Sequence, residues 1–303
     1  MKDYRAPWWL PGGHLQTLYG ALAPAPRVTW RRERWETPDG DFIDLDWTGT
    51  GGPLLALFHG LEGSTASHYA RAIATQTTKR GWRCVVPHFR GCSGEPNLKA
   101  RAYHSGDSGE LDWILRRLAP DYAVGVSLGG NVLLKWLGEQ GAGARLRRAA
   151  AVSAPLDLAA AGGALDRGLN RHLYTRAFLS TMKRNAFAKL ERFPGLFDAP
   201  RVRAATTLYE FDDAVTAPLH GFRDADDYWA RASSAPWLEH IRVPTLVLNA
   251  RNDPFLPRAA LQAATCKASA DVVLEFPETG GHAGFPGRDR WLARRVLDFL
   301  SLP

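Results

Sequence analysis

The residues of this 303-residue chain best suited to chemistry lie in the pentapeptide Gly125-Val126-Ser127-Leu128-Gly129. A serine with glycine two residues away on either side can occupy the sharp turn from a strand into a helix, because only small neighbours let the two elements close. Its Oγ then stands clear of the sheet at a helix N-terminus. A neutral hydroxyl is a weak nucleophile, so such a turn is useful only with a base and a carboxylate that orients the base. Both follow in the chain. Asp253 lies four residues past an apolar run ending at Asn249, and His282 lies six past one ending at Phe276. The order Ser127, Asp253, His282 predicts nucleophile, acid and base, each on a loop just after a strand. Asp157, shortly after Ser153, is a rival acid, read here as a residue that caps or turns the chain. Attack on a carbonyl puts charge on its oxygen, and two backbone N–H groups are expected to receive it. One belongs to Leu128, after the serine; the other to Leu61, in His59-Gly60-Leu61-Glu62-Gly63.

Other reactive side chains read differently. His59 ends a buried strand and is expected to be a structural histidine. His14, in Pro11-Gly12-Gly13-His14-Leu15-Gln16-Thr17, either lines the pocket or holds a turn. Cys92 has no basic partner that the sequence establishes, so an inert thiol is expected. HExxH, paired CxxC, EF-hand, Walker and GxGxxG patterns are all missing from the sequence, so neither a metal nor a cofactor is expected.

Those loops require a sheet to carry them. Arg27 to Glu36 and Asp41 to Trp47 flank Pro38-Asp39-Gly40 and predict a β-hairpin, with Ile43, Leu45 and Trp47 alternating against Asp44 and Asp46. Six short apolar runs then read as buried parallel strands: Leu54 to Phe58, Arg83 to Val86, Tyr122 to Val126, Ala149 to Ser153, Thr245 to Asn249 and Val272 to Phe276. Helical spacing intervenes over His68 to Arg80, around Leu111, Ile114, Leu115 and Leu118, over Leu128 to Glu139, and at Leu292, Val296, Phe299 and Leu300. The pattern predicts one α/β domain over 1–303, a mostly parallel sheet with helices on both faces. The rhythm breaks over about 154–243, where Leu169, Tyr174, Phe178, Met182, Phe187, Phe193 and Phe197 predict a helical cap, some of it facing the site.

Composition sets the class. With 45% hydrophobic and 23% charged residues the chain can bury a core, which excludes disordered and fibrous proteins. No apolar run reaches the length that spans a bilayer, and three cysteines without CxxC spacing suit a reducing compartment, so a cytoplasmic protein without stable membrane insertion is expected. The net charge of +7 comes from 31 Arg and seven Lys, in stretches interrupted by acidic or apolar residues. That predicts solvated faces and no nucleic-acid partner.

Taken together, Pro7-Trp8-Trp9-Leu10-Pro11 with His14-Leu15-Gln16-Thr17, His59 to Ser64, Arg90-Gly91-Cys92-Ser93-Gly94-Glu95, Gly125 to Asn131, Phe211-Asp212-Asp213, Ala217-Pro218 and Asn249 to Pro254 resemble the YheT-like branch of the α/β-hydrolases. The resemblance runs over nearly the whole chain. It implies the α/β-hydrolase fold and a cofactor-independent serine carboxylesterase, with Ser127, Asp253 and His282 at the triad positions and acyl esters as a substrate class, without a chain length. Ala283 is smaller than the residue expected after the histidine, which would enlarge the pocket slightly. A non-hydrolytic ligand-binding protein, an acyltransferase or a thioesterase keeps the same residues, and the oligomeric state is not legible. The apolar insertion predicts a short- to medium-chain preference without an interfacial lid.

Overall fold

The computed structural model describes residues 4–287 and 289–302. A hairpin opens the sheet: β1 (Arg31–Glu36) turns through Gly40, at φ +73°, into β2 (Phe42–Thr48), with Trp35 opposite Ile43. β1 starts four residues later than its apolar pattern suggests. The alternation in β2 predicts a wet face at Asp44 and Asp46, yet both aspartates are buried. Arg34 grips Asp44 at 2.7 and 2.8 Å and Arg32 grips Asp46 at 2.8 and 2.9 Å, while His88 Nε2 lies 2.8 Å from Asp46 Oδ2. Paired and hydrogen-bonded, these carboxylates tolerate burial.

Six further strands follow: β3 (Leu54–Phe58), β4 (Arg83–Pro87), β5 (Tyr122–Val126), β6 (Arg148–Val152), β7 (Thr245–Leu248) and β8 (Val272–Glu275). The sheet runs β1-β2-β4-β3-β5-β6-β7-β8, antiparallel across β1-β2 and β2-β4 and parallel elsewhere. Strand periodicity divides the core. Ala56 and Phe58 point to the face covered by α3 (Ser108–Leu118) and α4 (Leu128–Gln140), whereas Leu55 and Leu57 point to the face covered by α2 (His68–Lys79) and the C-terminal helix. β8 departs from the expectation of strands buried on both sides: it is the sheet's edge, and Val273 and Leu274 are exposed. The fold class is that of the α/β hydrolases.

Helix α1 (Gly12–Leu22) precedes the hairpin and has no counterpart in the sequence-based reading. Pro11 and the Gly12-Gly13 pair argue against a helix, and its buried residues, Gln16, Thr17 and Gly20, are not the apolar ones. Between β6 and β7 the chain makes α5 (Leu158–Leu165), α6 (Gly168–Asn170), a π-helical turn, α7 (Arg176–Arg192), α8 (Ala199–Ala204), α9 (Leu208–Phe211), a second π turn, α10 (Ala217–His220) and α11 (Ala225–Ala232). These helices bury a third apolar cluster of their own, including Leu179, Phe197, Phe211 and Trp229, which also takes in Phe255 from the loop after β7. α12 (Arg258–Thr265) and α13 (Trp291–Leu300) complete the chain. No helix among the described residues is long and apolar enough to cross a membrane.

Candidate active site

Ser127 sits between β5 and α4 at φ +55°, ψ −122°, a backbone conformation that costs a non-glycine residue about 1–3 kcal/mol. The flanking glycines make the turn possible. A Cβ on Gly125 would lie 2.3 Å from the Gly129 carbonyl oxygen, and one on Gly129 would lie 2.5 Å from the carbonyl oxygens of Phe58 and His59. Ser127 N–H donates to Val152 O at 2.8 Å, tying the turn to β6.

His282 approaches from the loop after β8, with Nε2 3.0 Å from Ser127 Oγ and Nδ1 2.9 Å from Asp253 Oδ2. Asp253 comes from the loop after β7; its side chain is fully buried, and its other oxygen accepts Phe255 N–H at 2.8 Å. A carboxylate acceptor assigns the proton to Nδ1 and leaves Nε2 free to accept from the serine hydroxyl. Phe255 stacks on the imidazole at 4.0 Å between ring centroids. Asp157 is not part of this arrangement: its Oδ1 accepts Ala160 N–H at 3.0 Å and caps α5.

Leu61 and Leu128 flank Ser127, and neither backbone N–H donates to a protein acceptor among the described residues. The loop bearing Leu61 is braced on every side. Gly60 N–H donates to Tyr69 Oη at 2.8 Å, and Glu62, at φ +53°, donates its N–H to Tyr103 Oη at 2.9 Å. The Glu62 carboxylate accepts from Tyr103 Oη at 2.8 Å and from Asn185 Nδ2 of α7 at 2.9 Å. His59 has no spare nitrogen, since Nδ1 meets Gly60 O at 2.8 Å and Nε2 accepts Phe89 N–H at 3.1 Å. Burial pushes its pKa down to about 3, so it stays neutral.

A group of residues to which the sequence-based reading gives no role holds the two loops together. Gln16 Oε1, buried in α1, accepts from Asn252 Nδ2 at 2.9 Å and from Gly280 N–H at 2.8 Å. Thr17 Oγ1 accepts His282 N–H at 2.8 Å, and Asn252 Oδ1 accepts Gly281 N–H at 3.0 Å. From below, Ser153 Oγ accepts Ala283 N–H at 2.9 Å while His68 Nε2 meets Ala283 O at 2.9 Å. Ala283 is thus buried at φ +49° beneath the site and does not line the cavity, so its size leaves the pocket unchanged. Two adjacent polar residues between Leu15 and Leu18 were the available signal. His14 stacks on Tyr174, with Nδ1 3.2 Å from the phenol oxygen.

Ser127, Leu128, Leu61 and His282 open onto a cavity of about 560 Å³ between the sheet and the inserted helices. Leu158, Leu165, Phe178, Met182, Phe197 and Phe211 give it one apolar wall. Leu169, also expected there, points to solvent instead, while Tyr174 is buried against Phe255. Glu62, Asn97, Lys189 and His220 also line the cavity and give it polar groups. Lys189 donates to Asn97 Oδ1 at 2.7 Å and to two carbonyls, and burial lowers its pKa to about 8. The Cys92 thiol lines the cavity too, its pKa raised by burial and by Glu62, which disfavours the reactive thiolate. Among the described residues no cluster of His, Cys, Asp and Glu could hold a metal ion.

Residues 53–288 match the α/β-hydrolase fold family. The Escherichia coli (strain K12) protein named "Putative esterase YheT" is 39% identical, the alignment covering 95% of this chain and 90% of that protein. "Phospholipase ABHD3" of Homo sapiens is 30% identical over 99% of this chain and 79% of its own length. The solved esterase EaEST of Exiguobacterium antarcticum superposes with a TM-score of 0.60 at 17% identity, over 89% of this chain and 99% of that one. The last likeness speaks for the fold alone.

Proposed function

The chain belongs to the α/β-hydrolase fold family and to its YheT-like branch, and from that premise we propose that it is a serine-dependent carboxylic ester hydrolase acting on short- to medium-chain acyl esters. The observation that carries this reading is the hydrogen-bonded line from Asp253 through His282 to Ser127, ending at an apolar cavity wall. The names of the E. coli and human relatives, an esterase and a phospholipase, support acyl-ester chemistry. His282 Nε2 takes the Ser127 proton as Oγ attacks the ester carbonyl, and Asp253 holds the imidazole tautomer and stabilises the imidazolium. The Leu61 and Leu128 N–H groups receive the oxyanion. The protonated imidazole then gives its proton to the departing alcohol, leaving an acyl-enzyme. Water deprotonated by His282 attacks the acyl carbon and releases the acid, restoring Ser127. Three free cysteines suit a reducing compartment, and we place the enzyme in the cytosol.

Chain-length preference follows from the cavity. Each methylene taken from water contributes about 0.8 kcal/mol until the chain meets the end wall. Activity on p-nitrophenyl esters of increasing length is expected to rise and then fall, with no jump when substrate aggregates. A preference for the longest esters, or a sharp rise at the critical micelle concentration, would make it a lipase. The nucleophile is tested by fluorophosphonate labelling, which Ser127→Ala should abolish while leaving the fold intact. Labelling that survives in that variant would remove Ser127 from the reaction.

A further inference from the structure

Helix α1 is inside out. Its polar side chains Gln16 and Thr17 face the protein, while Leu15, Tyr19 and Leu22, spaced i, i+4, i+7 along the opposite side, face solvent, with Leu22 82% exposed. Trp8 and Trp9, 91% and 50% exposed, extend the stripe, the Trp9 ring lying edge-on to Tyr19 at 5.3 Å. α1 contains no charged residue. Scattered exposed apolar side chains are ordinary, but a continuous stripe with two tryptophans, opposite a buried polar face, is the reverse of what water selects.

The adjoining segment is rich in positive charge. The His14–Tyr174 contact sets the start of α1 beside the segment 167–176, where Leu169 and Leu173 are also exposed. From 167 to 190 the chain carries Arg167, Arg171, Arg176, Lys183, Arg184 and Lys189 and no acidic residue. Arg167 and Arg176 are exposed and make no ion pair among the described residues. Tryptophan is at home where headgroups meet acyl chains, and arginine beside it meets anionic headgroups. A second copy of the chain would bring the same cations against one another.

We propose that Trp8, Trp9 and the outer stripe of α1, with the basic segment 167–176 beside them, dock the protein on an anionic lipid surface. The stripe enters the headgroup boundary and the arginines pair with the lipid charge, holding the protein peripherally. This inference goes beyond ester hydrolysis and does not depend on it, because binding is read without turnover.

Sedimentation of the full chain with vesicles tests it, using phosphatidylcholine alone and phosphatidylcholine with phosphatidylglycerol at about three parts to one. Binding to the anionic vesicles should be on the order of tenfold tighter than to the neutral ones and should weaken as salt rises. Trp8→Ser with Trp9→Ser should weaken it by about tenfold or more, and Arg167→Glu with Arg176→Glu should erase the preference for anionic lipid. All four positions lie outside the catalytic site, so turnover of a soluble ester should match the parent and report intact folding. Ser127→Ala should bind vesicles like the parent, which separates failure of docking from failure of the catalytic assignment. Absence of binding to anionic vesicles, or binding unaffected by the tryptophan pair, would overturn the proposal. So would a dimer that the tryptophan substitutions dissociate, since a second copy would then cover the face.

Discussion

Two carboxylates leave the sheet near His282, and only one of them meets it. Asp253 Oδ2 lies 2.9 Å from Nδ1, whereas Asp157 spends its side chain on the N-terminus of α5. Replacing Asp253 by Asn leaves a group of the same shape that stabilises the wrong imidazole tautomer. Asp253→Asn is therefore expected to lower kcat by roughly 10³- to 10⁴-fold with KM near its parent value. Asp157→Asn should be nearly silent, because asparagine caps a helix about as well as aspartate. Steady-state kinetics on one soluble ester checks both, and the opposite pattern would move the acid to the earlier strand. Ser127 was readable because a strained serine turn demands small neighbours at fixed offsets, and Gly125 and Gly129 supply them.

α1 is the element that local pattern misrepresents most. It lacks charge and begins after a proline with two glycines, yet it clamps the loops that carry Asp253 and His282 through Gln16 and Thr17. Gln16→Ala removes the acceptor of two donors, Asn252 Nδ2 and Gly280 N–H. Each buried donor left unpaired costs about 1–3 kcal/mol. The loops that bear Asp253 and His282 then lose their common tether, and a misplacement of even a fraction of an ångström costs rate. We expect kcat to fall on the order of 10- to 100-fold. KM should hold, since Gln16 does not line the cavity. A matched loss in binding, with kcat preserved, would show that α1 serves the pocket and not the loops. Urea unfolding of the same variant gives the stability cost separately.

Across the protein, burial holds several histidines neutral. It lowers the pKa of His59 and His220 to about 3 and of His104 to about 4, and lowers His68 as well. In the unfolded chain each titrates near its ordinary 6.5. A depressed histidine contributes stability that is present above 6.5 and lost as pH falls below it, because the unfolded state takes up protons that the folded state refuses. Buried Asp212, raised to about 6, works in the opposite sense: its folded form gains a proton below pH 6 that the unfolded form does not take. From pH 7.5 to 6 the histidines outnumber it. The free energy of unfolding should therefore drop across that window, by about 1.4 kcal/mol per pH unit for each net proton. Urea midpoints at the two ends measure it, and a flat or rising profile toward acid would contradict the neutral histidines. His104→Gln should reduce the slope by one proton's share.

The order and spacing of local signals were enough to determine the sheet, the serine turn and the loops that carry Asp253 and His282. Buried parallel strands declare themselves as short apolar runs, and each chemical residue stands just beyond one of them. Contacts between neighbouring strands and between segments distant in the chain decided the rest. Asp44 and Asp46 read as a wet strand face until Arg34, Arg32 and His88 arrive to pair with them. Val273 and Leu274 read as core until the strand order leaves β8 without a neighbour on one side. Gln16 and Thr17 have no assigned role until residues 264 and 265 positions further along present the backbone N–H groups they accept. A polar side chain is placed by its partner, and when that partner lies at the other end of the chain no local pattern records it.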